Sequence, residues 1–120
     1  MCVIVAKDRG VALPENDTLH ECFNHNNDGA GFAYARGGRV HIRKGFMTWR
    51  KFKKGLRRER LEDRDSIIYH FRIGTSGTTR PHNTHPFPMS SSEKLLRATW
   101  VSTNCAIAHN GVISYFGEDD

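Results

Sequence analysis

The chain has 120 residues, a net charge of +5 and a pI near 9.4. This length suits one domain with one modest core, so we expect a single domain over residues 1–120. A hydrophobic fraction of 38% and a charged fraction of 26% are typical of globular proteins, and no apolar run approaches a membrane span. Three scattered cysteines and the lack of a secretory signal favour a reducing, cytoplasmic location.

The N-terminus combines a reactive residue with a predicted strand. Val3-Ile4-Val5-Ala6 is a short β-branched run of the kind that forms a buried strand. Removal of Met1 would leave Cys2 with a thiol nucleophile and a free α-amine, whose pKa is roughly 7.7–8.0 in model peptides. Cys2 could then supply its own base. The alternative is an inert cysteine at the start of an ordinary first strand.

Apolar periodicity and turn residues predict the elements that follow. In chain order they are a helix from Glu15 to His25, strands from Ala30 to Arg36 and from Arg39 to Lys44 around a Gly37-Gly38 turn, a helix from an N-cap at Thr48 to about Asp63, a strand from Ser66 to Ile73, a short helix from Ser92 to Thr99 and a strand over Ala106, Ile107 and Ala108. Three prolines between Arg80 and Pro88 predict an extended, irregular segment. Gly29 and Gly31 would let another backbone approach closely, although Gly29 could equally be a simple turn residue.

The predicted helix after Thr48 has a strongly basic outer face. The basic side chains are Arg50, Lys51, Lys53, Lys54, Arg57 and Arg58, opposite a buried stripe of Trp49, Phe52 and Leu56. This charge is compatible with a nucleic-acid interface. A solvated amphipathic helix is favoured instead, because no aromatic or Gly-rich nucleic-acid reader accompanies the charge. We therefore expect no specific nucleic-acid partner.

Polar residues with a chemical use stand at the ends of predicted strands. Arg72 lies in a mostly apolar strand, where a guanidinium costs desolvation unless an anion meets it. The loop of residues 74–79 is rich in small and hydroxyl residues that could line a polar pocket. Asn110 and Gly111 follow the last predicted strand, and the apolar pattern resumes at Val112.

Four of these pieces, in this order, resemble the class II glutamine amidotransferases. They are Cys2, the Asp28-Gly29-Ala30-Gly31 turn, the strand and loop of residues 70–77, and His109-Asn110-Gly111. These amidotransferases are N-terminal-nucleophile (Ntn) hydrolases that release ammonia from glutamine, and they have a similar His-Pro turn where this chain has His85-Pro86. The resemblance implies an α+β fold of antiparallel sheets layered with helices (αββα), incomplete at its C-terminal end in this chain.

The resemblance also assigns roles to residues. Cys2 attacks the glutamine amide, while the Asn110 side chain and the Gly111 backbone N–H form the oxyanion hole. The substrate-binding residues that it implies are Arg72, Thr75, Ser76, His85 and Asp28. Arg72 would pair with the glutamine α-carboxylate. No cofactor or metal is implied, and a synthetase partner or fused domain would activate the ammonia acceptor.

Some residues depart from the family pattern. Family members place an acidic residue for the substrate α-amine well beyond the Asn-Gly turn, where this chain has only Asp119 and Asp120. Several relatives have Arg where this chain has His25. A retained Met1 would block the α-amine of Cys2. Two other readings therefore stay open: an inactive amidotransferase-like binding protein, and a small metal protein that uses the His82-x-x-His85 pair.

Overall fold

An antiparallel sheet of five strands forms the frame of the molecule in the computed structural model, which describes residues 1–74 and 78–111. The elements, in chain order, are β1 Val3–Lys7, α1 Asn16–His25, β2 Ala30–Arg36, β3 Arg39–Phe46, α2 Trp49–Glu59, β4 Ile67–Phe71, β5 Phe87–Pro88, α3 Glu93–Arg97, β6 Trp100–Thr103 and β7 Ala106–Ile107. The main sheet has the strand order β1-β4-β2-β3-β6, and β5 pairs with β7 in a separate two-stranded sheet. The chain is thus an α+β domain, as the sequence predicts at this coarser level.

The β2–β3 hairpin follows directly from its turn residues. Gly37 and Gly38 have φ values of +64° and +73°, which a residue with a side chain rarely adopts. Two successive positive φ values are what a two-residue hairpin turn requires. Arg36 accordingly pairs with Arg39 across the turn, and the predicted hairpin is confirmed.

The core lies between one face of the main sheet and the helices α1 and α2. Phe32 and Tyr34 from β2 alternate with smaller residues, so that both aromatic rings point to the same side as Tyr69 and Phe71 of β4. Phe52 of α2 is fully buried among them. Each such side chain contributes about 1.5–3 kcal/mol through its burial. This packing holds β4, which Arg72 follows directly, between β1 and β2 in the sheet.

The helix α2 begins as predicted but ends earlier. The Thr48 hydroxyl accepts the Lys51 backbone N–H at 3.2 Å, which confirms the N-cap. The predicted end at about Asp63 is wrong, because Arg60 adopts the left-handed conformation with φ of +49° and its N–H bonds to the carbonyl of Arg57. Such a residue caps a helix and stops its propagation.

Other predicted bounds also shift. The strand predicted from Ser66 to Ile73 is the shorter β4, because beyond Phe71 the backbone N–H of Arg72 bonds to Gly29 outside the strand ladder. The helix predicted from Ser92 to Thr99 is the shorter α3, with Ser92 as its N-cap. The strands β5 and β6 were not predicted.

The second face of the main sheet is crossed closely by the segment that precedes β5. A Cβ atom added to Gly31 would lie 2.1 Å from the carbonyl oxygen of His85 and 2.7 Å from Cβ of Lys44. Only glycine therefore fits at this position, as the sequence predicts for a close backbone approach. Within residues 1–74 and 78–111, none of the helices has the length and apolar character that a membrane span requires.

Candidate functional site

Cys2 lies at the end of β4 because of the register between β1 and β4. Val3 stands opposite Phe71 in this antiparallel pair, so the residue before Val3 meets the residues after Phe71. The Cys2 Sγ atom lies 3.7 Å from the carbonyl oxygen of Ile73, within the distance of a weak S–H hydrogen bond. The thiol is half-buried. The sheet thus holds this thiol against the segment that follows β4, at the carbonyl of Ile73.

Asn26 holds the residue that precedes the thiol. Its side-chain Nδ2 donates a hydrogen bond of 2.6 Å to the carbonyl oxygen of Met1. Asn26 is buried, whereas Met1 is 82% exposed. With Met1 attached, the nitrogen of Cys2 belongs to a peptide bond and has no basic lone pair. No local sequence pattern shows that the Asn26 amide reaches Met1.

The Asp28 turn is joined to the end of β4 by three hydrogen bonds. The Asp28 backbone N–H donates to the Arg72 carbonyl at 2.9 Å, and the Arg72 N–H donates to the Gly29 carbonyl at 2.8 Å. The Asp28 carboxylate accepts the Gly74 N–H at 2.7 Å. These bonds bring two of the predicted substrate-binding residues, Asp28 and Arg72, to the same corner as Cys2.

A carboxylate and a guanidinium flank Gly74. A Cβ atom built on Gly74 would lie 3.3 Å from Asp28 Oδ2 and 3.5 Å from Arg72 Nη1. Arg72 Nη1 also donates a long hydrogen bond of 3.5 Å to the hydroxyl oxygen of Thr79. The two opposite charges therefore both lie against Gly74. Thr79 is a residue of this corner that sequence analysis placed only in a general polar loop.

Arg72 is fully buried. A charged group in this position is stable only when it is paired or hydrogen-bonded. The Thr79 hydroxyl is one such partner. A substrate carboxylate can reach the guanidinium only by displacing groups that now cover it.

The Asn110–Gly111 segment approaches the same end of the sheet through its neighbour His109. His70 Nε2 lies 3.1 Å from the carbonyl oxygen of His109, which accepts the hydrogen bond. His70 is paired with Ile4 in the β1–β4 register, and Ile4 lies two residues after Cys2 in the chain. Asn110 and Gly111 are exposed, and Gly111 has a φ of +111°. The predicted oxyanion residues, Asn110 and Gly111, therefore come directly after His109, which contacts His70 of β4.

His85 lies within a cluster of histidine rings. Its ring centroid is 4.3 Å from that of His70 and 4.6 Å from that of His109. Neither ring nitrogen of His85 has a hydrogen-bond partner among residues 1–74 and 78–111. Burial, together with the positive charges around it, lowers the pKa of His85 to about 2. His85 is therefore a neutral, buried ring. Its contact with the His109 ring joins the His85-Pro86 segment to the segment that precedes Asn110.

Two predicted substrate-binding residues, Thr75 and Ser76, lie outside the described residues. Among residues 1–74 and 78–111, no group of three or more His, Cys, Asp or Glu side chains is arranged to hold a metal ion. Cavities of about 390 and 520 Å³ lie around Ser66, at the opposite end of β4, and neither is lined by Cys2 or Arg72.

Comparison of the chain with protein-family models, with curated proteins and with solved structures gives no match. The candidate site therefore rests on the positions of Cys2, Asp28, Arg72 and the Asn110 segment in this structure.

Proposed function

We propose that this chain is the glutaminase unit of a class II glutamine amidotransferase, with the N-terminal-nucleophile hydrolase fold. The observation that carries the proposal is the corner at the end of β4. There the Cys2 thiol lies 3.7 Å from the carbonyl oxygen of Ile73, the residue after Arg72. The Asp28 carboxylate accepts a hydrogen bond from the Gly74 backbone N–H. A nucleophile lies beside opposite charges that suit an α-amino acid.

Maturation is the first step of the proposed mechanism. Hydrolysis of the Met1–Cys2 bond frees the Cys2 α-amine and removes the carbonyl that Asn26 now binds. A buried amide group without a partner costs about 1–3 kcal/mol. Rotation of the Asn26 amide would present its oxygen to the new amine and satisfy both groups. Asn26 thereby becomes a positioning residue for the base.

The chemical step uses that amine as the proton carrier. The Cys2 thiol transfers its proton to the amine, and the thiolate attacks the side-chain carbonyl carbon of glutamine. The side-chain amide of Asn110 and the backbone N–H of Gly111 stabilise the resulting oxyanion. The amine returns the proton to the departing nitrogen, so that ammonia leaves and a γ-glutamyl thioester remains. Water then hydrolyses the thioester to glutamate and restores the thiol.

Substrate recognition divides between the two charged side chains of the corner. Arg72 binds the α-carboxylate, and Thr75 and Ser76 line the substrate. Asp28, whose carboxylate accepts the Gly74 backbone N–H at 2.7 Å, binds the α-amine. The ammonia passes to an acceptor that a synthetase partner or another domain activates.

A labelling experiment tests the proposal. A diazo-ketone analogue of glutamine should add to protein that lacks Met1, and intact mass spectrometry should report one adduct per chain. Cys2→Ala should lose both the adduct and the release of ammonia from glutamine. Cys105→Ala is the matched control, because Cys105 is a free, exposed thiol far along the chain. An adduct that survives Cys2→Ala, or equal ammonia release with Met1 attached, would contradict the proposal.

The second candidate is an inactive amidotransferase-like binding protein. The complete burial of Arg72 favours it, because a substrate carboxylate would have to displace the groups that cover the guanidinium. It predicts that the Met1-free protein binds glutamine without releasing ammonia, which isothermal titration and an ammonia assay on the same sample distinguish.

A further inference from the structure

The positive charge of the molecule is concentrated on one helix. The eleven residues of α2 contain six basic residues and one acidic residue. The whole chain has 18 basic and 13 acidic residues, which leaves 12 of each for the other 109 residues. The remainder of the protein is therefore formally neutral, and the excess of +5 belongs to α2.

These basic side chains share the outward face of α2. At about 100° per residue, Arg50, Lys51, Lys53, Lys54, Arg57 and Arg58 fall within an arc of about 160°. The opposite side faces the core: Phe52 is fully buried, and Gly55 packs so closely on the Phe46 ring that an added Cβ would be 2.5 Å from it. We call the six outward residues the basic face of α2.

The acidic residue of α2 does not neutralise this face. Glu59 is buried and accepts hydrogen bonds from Arg43 and Tyr34 on the sheet. Within residues 1–74 and 78–111, the basic face has no ion pair with a carboxylate. Its charges are thus available to a partner.

The charge pattern works against the helix itself. Like charges three or four residues apart, such as Arg50 with Lys54 and Lys54 with Arg58, destabilise a helix. Arg50 and Lys51 also lie in the first turn, where the helix dipole disfavours cations, and that turn has no acidic residue. Folding stability therefore does not account for the basic face, whereas binding to a polyanion does.

An exposed aromatic side chain lies next to the basic face. Trp100 of β6 is 52% exposed, and the Arg58 guanidinium carbon is 5.5 Å from its ring centroid. The Arg43 guanidinium carbon lies 3.6 Å from the same centroid, so the ring already stacks on a cation of the sheet and extends the positive surface of the basic face toward β6. The sequence alone does not reveal this neighbour, because Trp100 and Arg58 meet only through the pairing of β6 with β3.

We infer that the basic face of α2 binds the phosphate backbone of a nucleic acid without reading its sequence. The helix is about 16 Å long, and a duplex presents about nine phosphate charges over that length. An anionic membrane fits less well, since a helix that lies in a membrane surface must insert its apolar face. In α2 that face is already buried in the core.

Fluorescence anisotropy with a labelled duplex DNA of arbitrary sequence tests the inference, with a duplex RNA and a single strand as parallel probes. Six phosphate contacts predict that the logarithm of the association constant falls with the logarithm of salt concentration with a slope of about −5. Arg50→Gln, Lys54→Gln and Arg57→Gln combined should change the slope to about −3, since each contact contributes about 0.9. Thermal melting checks that this variant folds.

The matched control removes the same charge elsewhere. Arg9→Gln, Lys94→Gln and Arg97→Gln combined should leave the slope and the affinity of the wild-type protein unchanged. Equal losses in both triple variants would assign the effect to net charge and overturn the inference. So would a lack of binding to all three probes at 50 mM salt, or binding to phosphatidylserine vesicles alone.

Discussion

Substitution of Arg43 should reveal how the buried pair with Glu59 holds α2 against the sheet. The two side chains are 7% and 9% exposed and meet at 2.7 Å, and the Tyr34 hydroxyl donates a second hydrogen bond to Glu59. Loss of one partner of a buried ion pair typically costs about 3–5 kcal/mol. Because Tyr34 still donates to Glu59, we expect Arg43→Met to cost about 3 kcal/mol, near the lower end of that range. For a chain of this size that corresponds to a decrease in Tm of roughly 10–15 °C.

The pH dependence of this loss identifies its cause. Burial opposes the ionisation of Glu59, but the hydrogen bonds from Tyr34 and Arg43 outweigh it and hold the pKa of Glu59 below its ordinary value of 4.5. In the wild-type protein, this contribution to stability is present above pH 4.5 and lost as the pH falls through the folded pKa. Without Arg43, burial dominates and the pKa of Glu59 rises above its ordinary value. The penalty of Arg43→Met should therefore be larger at pH 7 than at pH 4.

Urea denaturation at both pH values measures this difference. Arg43→Met/Glu59→Gln is the informative second variant, because glutamine keeps an acceptor for Tyr34 and removes the unpaired charge. It should be more stable than Arg43→Met at pH 7 and not at pH 4. A cost for Arg43→Met below about 1 kcal/mol at pH 7, the range of exposed ion pairs, would refute the reasoning.

Two further substitutions test the close packing behind the candidate site. Gly31→Ala should lower the free energy of unfolding by about 1–3 kcal/mol, because the new Cβ would lie 2.1 Å from the His85 carbonyl oxygen; urea denaturation measures it, and an unchanged free energy of unfolding would contradict the close approach of the two backbones. His85→Leu should flatten the loss of stability in acid, since a histidine with a folded pKa of about 2 and an unfolded pKa near 6.5 destabilises the folded state progressively as the pH falls through that interval. Melting temperatures of the wild type and of His85→Leu that fall in parallel between pH 6 and pH 4 would contradict the second prediction.

The local parts of the fold could be predicted from the sequence. The Gly37-Gly38 turn and the Thr48 N-cap are decided by residues adjacent in the chain, and the structure confirms both. The end of α2 could not be predicted, because Arg60 adopts a left-handed conformation that its residue type disfavours. The Arg36 guanidinium also donates hydrogen bonds to the carbonyl oxygens of Glu59 and Arg60. These carbonyls are therefore capped by a side chain of the sheet and do not continue the helix. A contact between distant segments fixes this end.

The strand β6 was missed for a related reason. Its four residues have exposed and half-buried positions in alternation, with only one large apolar residue, Trp100, at an exposed position. Pairing with β3 provides the backbone partners that make it a strand. Edge strands of this kind depend on a neighbour more than on their own apolar content.

The candidate site shows the same division. The chemistry of Cys2 and Arg72 could be read from residue type, and strand register brings them together. The contact between Asn26 and Met1, and the packing of His85 on His109, depend on side chains from separate turns. No periodicity or spacing contains that information.

The hydrogen bond from Asn26 to the Met1 carbonyl has a practical consequence for anyone who prepares this protein. An affinity tag fused ahead of Met1 keeps the nitrogen of Cys2 acylated, and such a sample would test neither candidate function fairly. A purification handle belongs at the opposite terminus, and the mass of the first tryptic peptide should be recorded before any assay is interpreted.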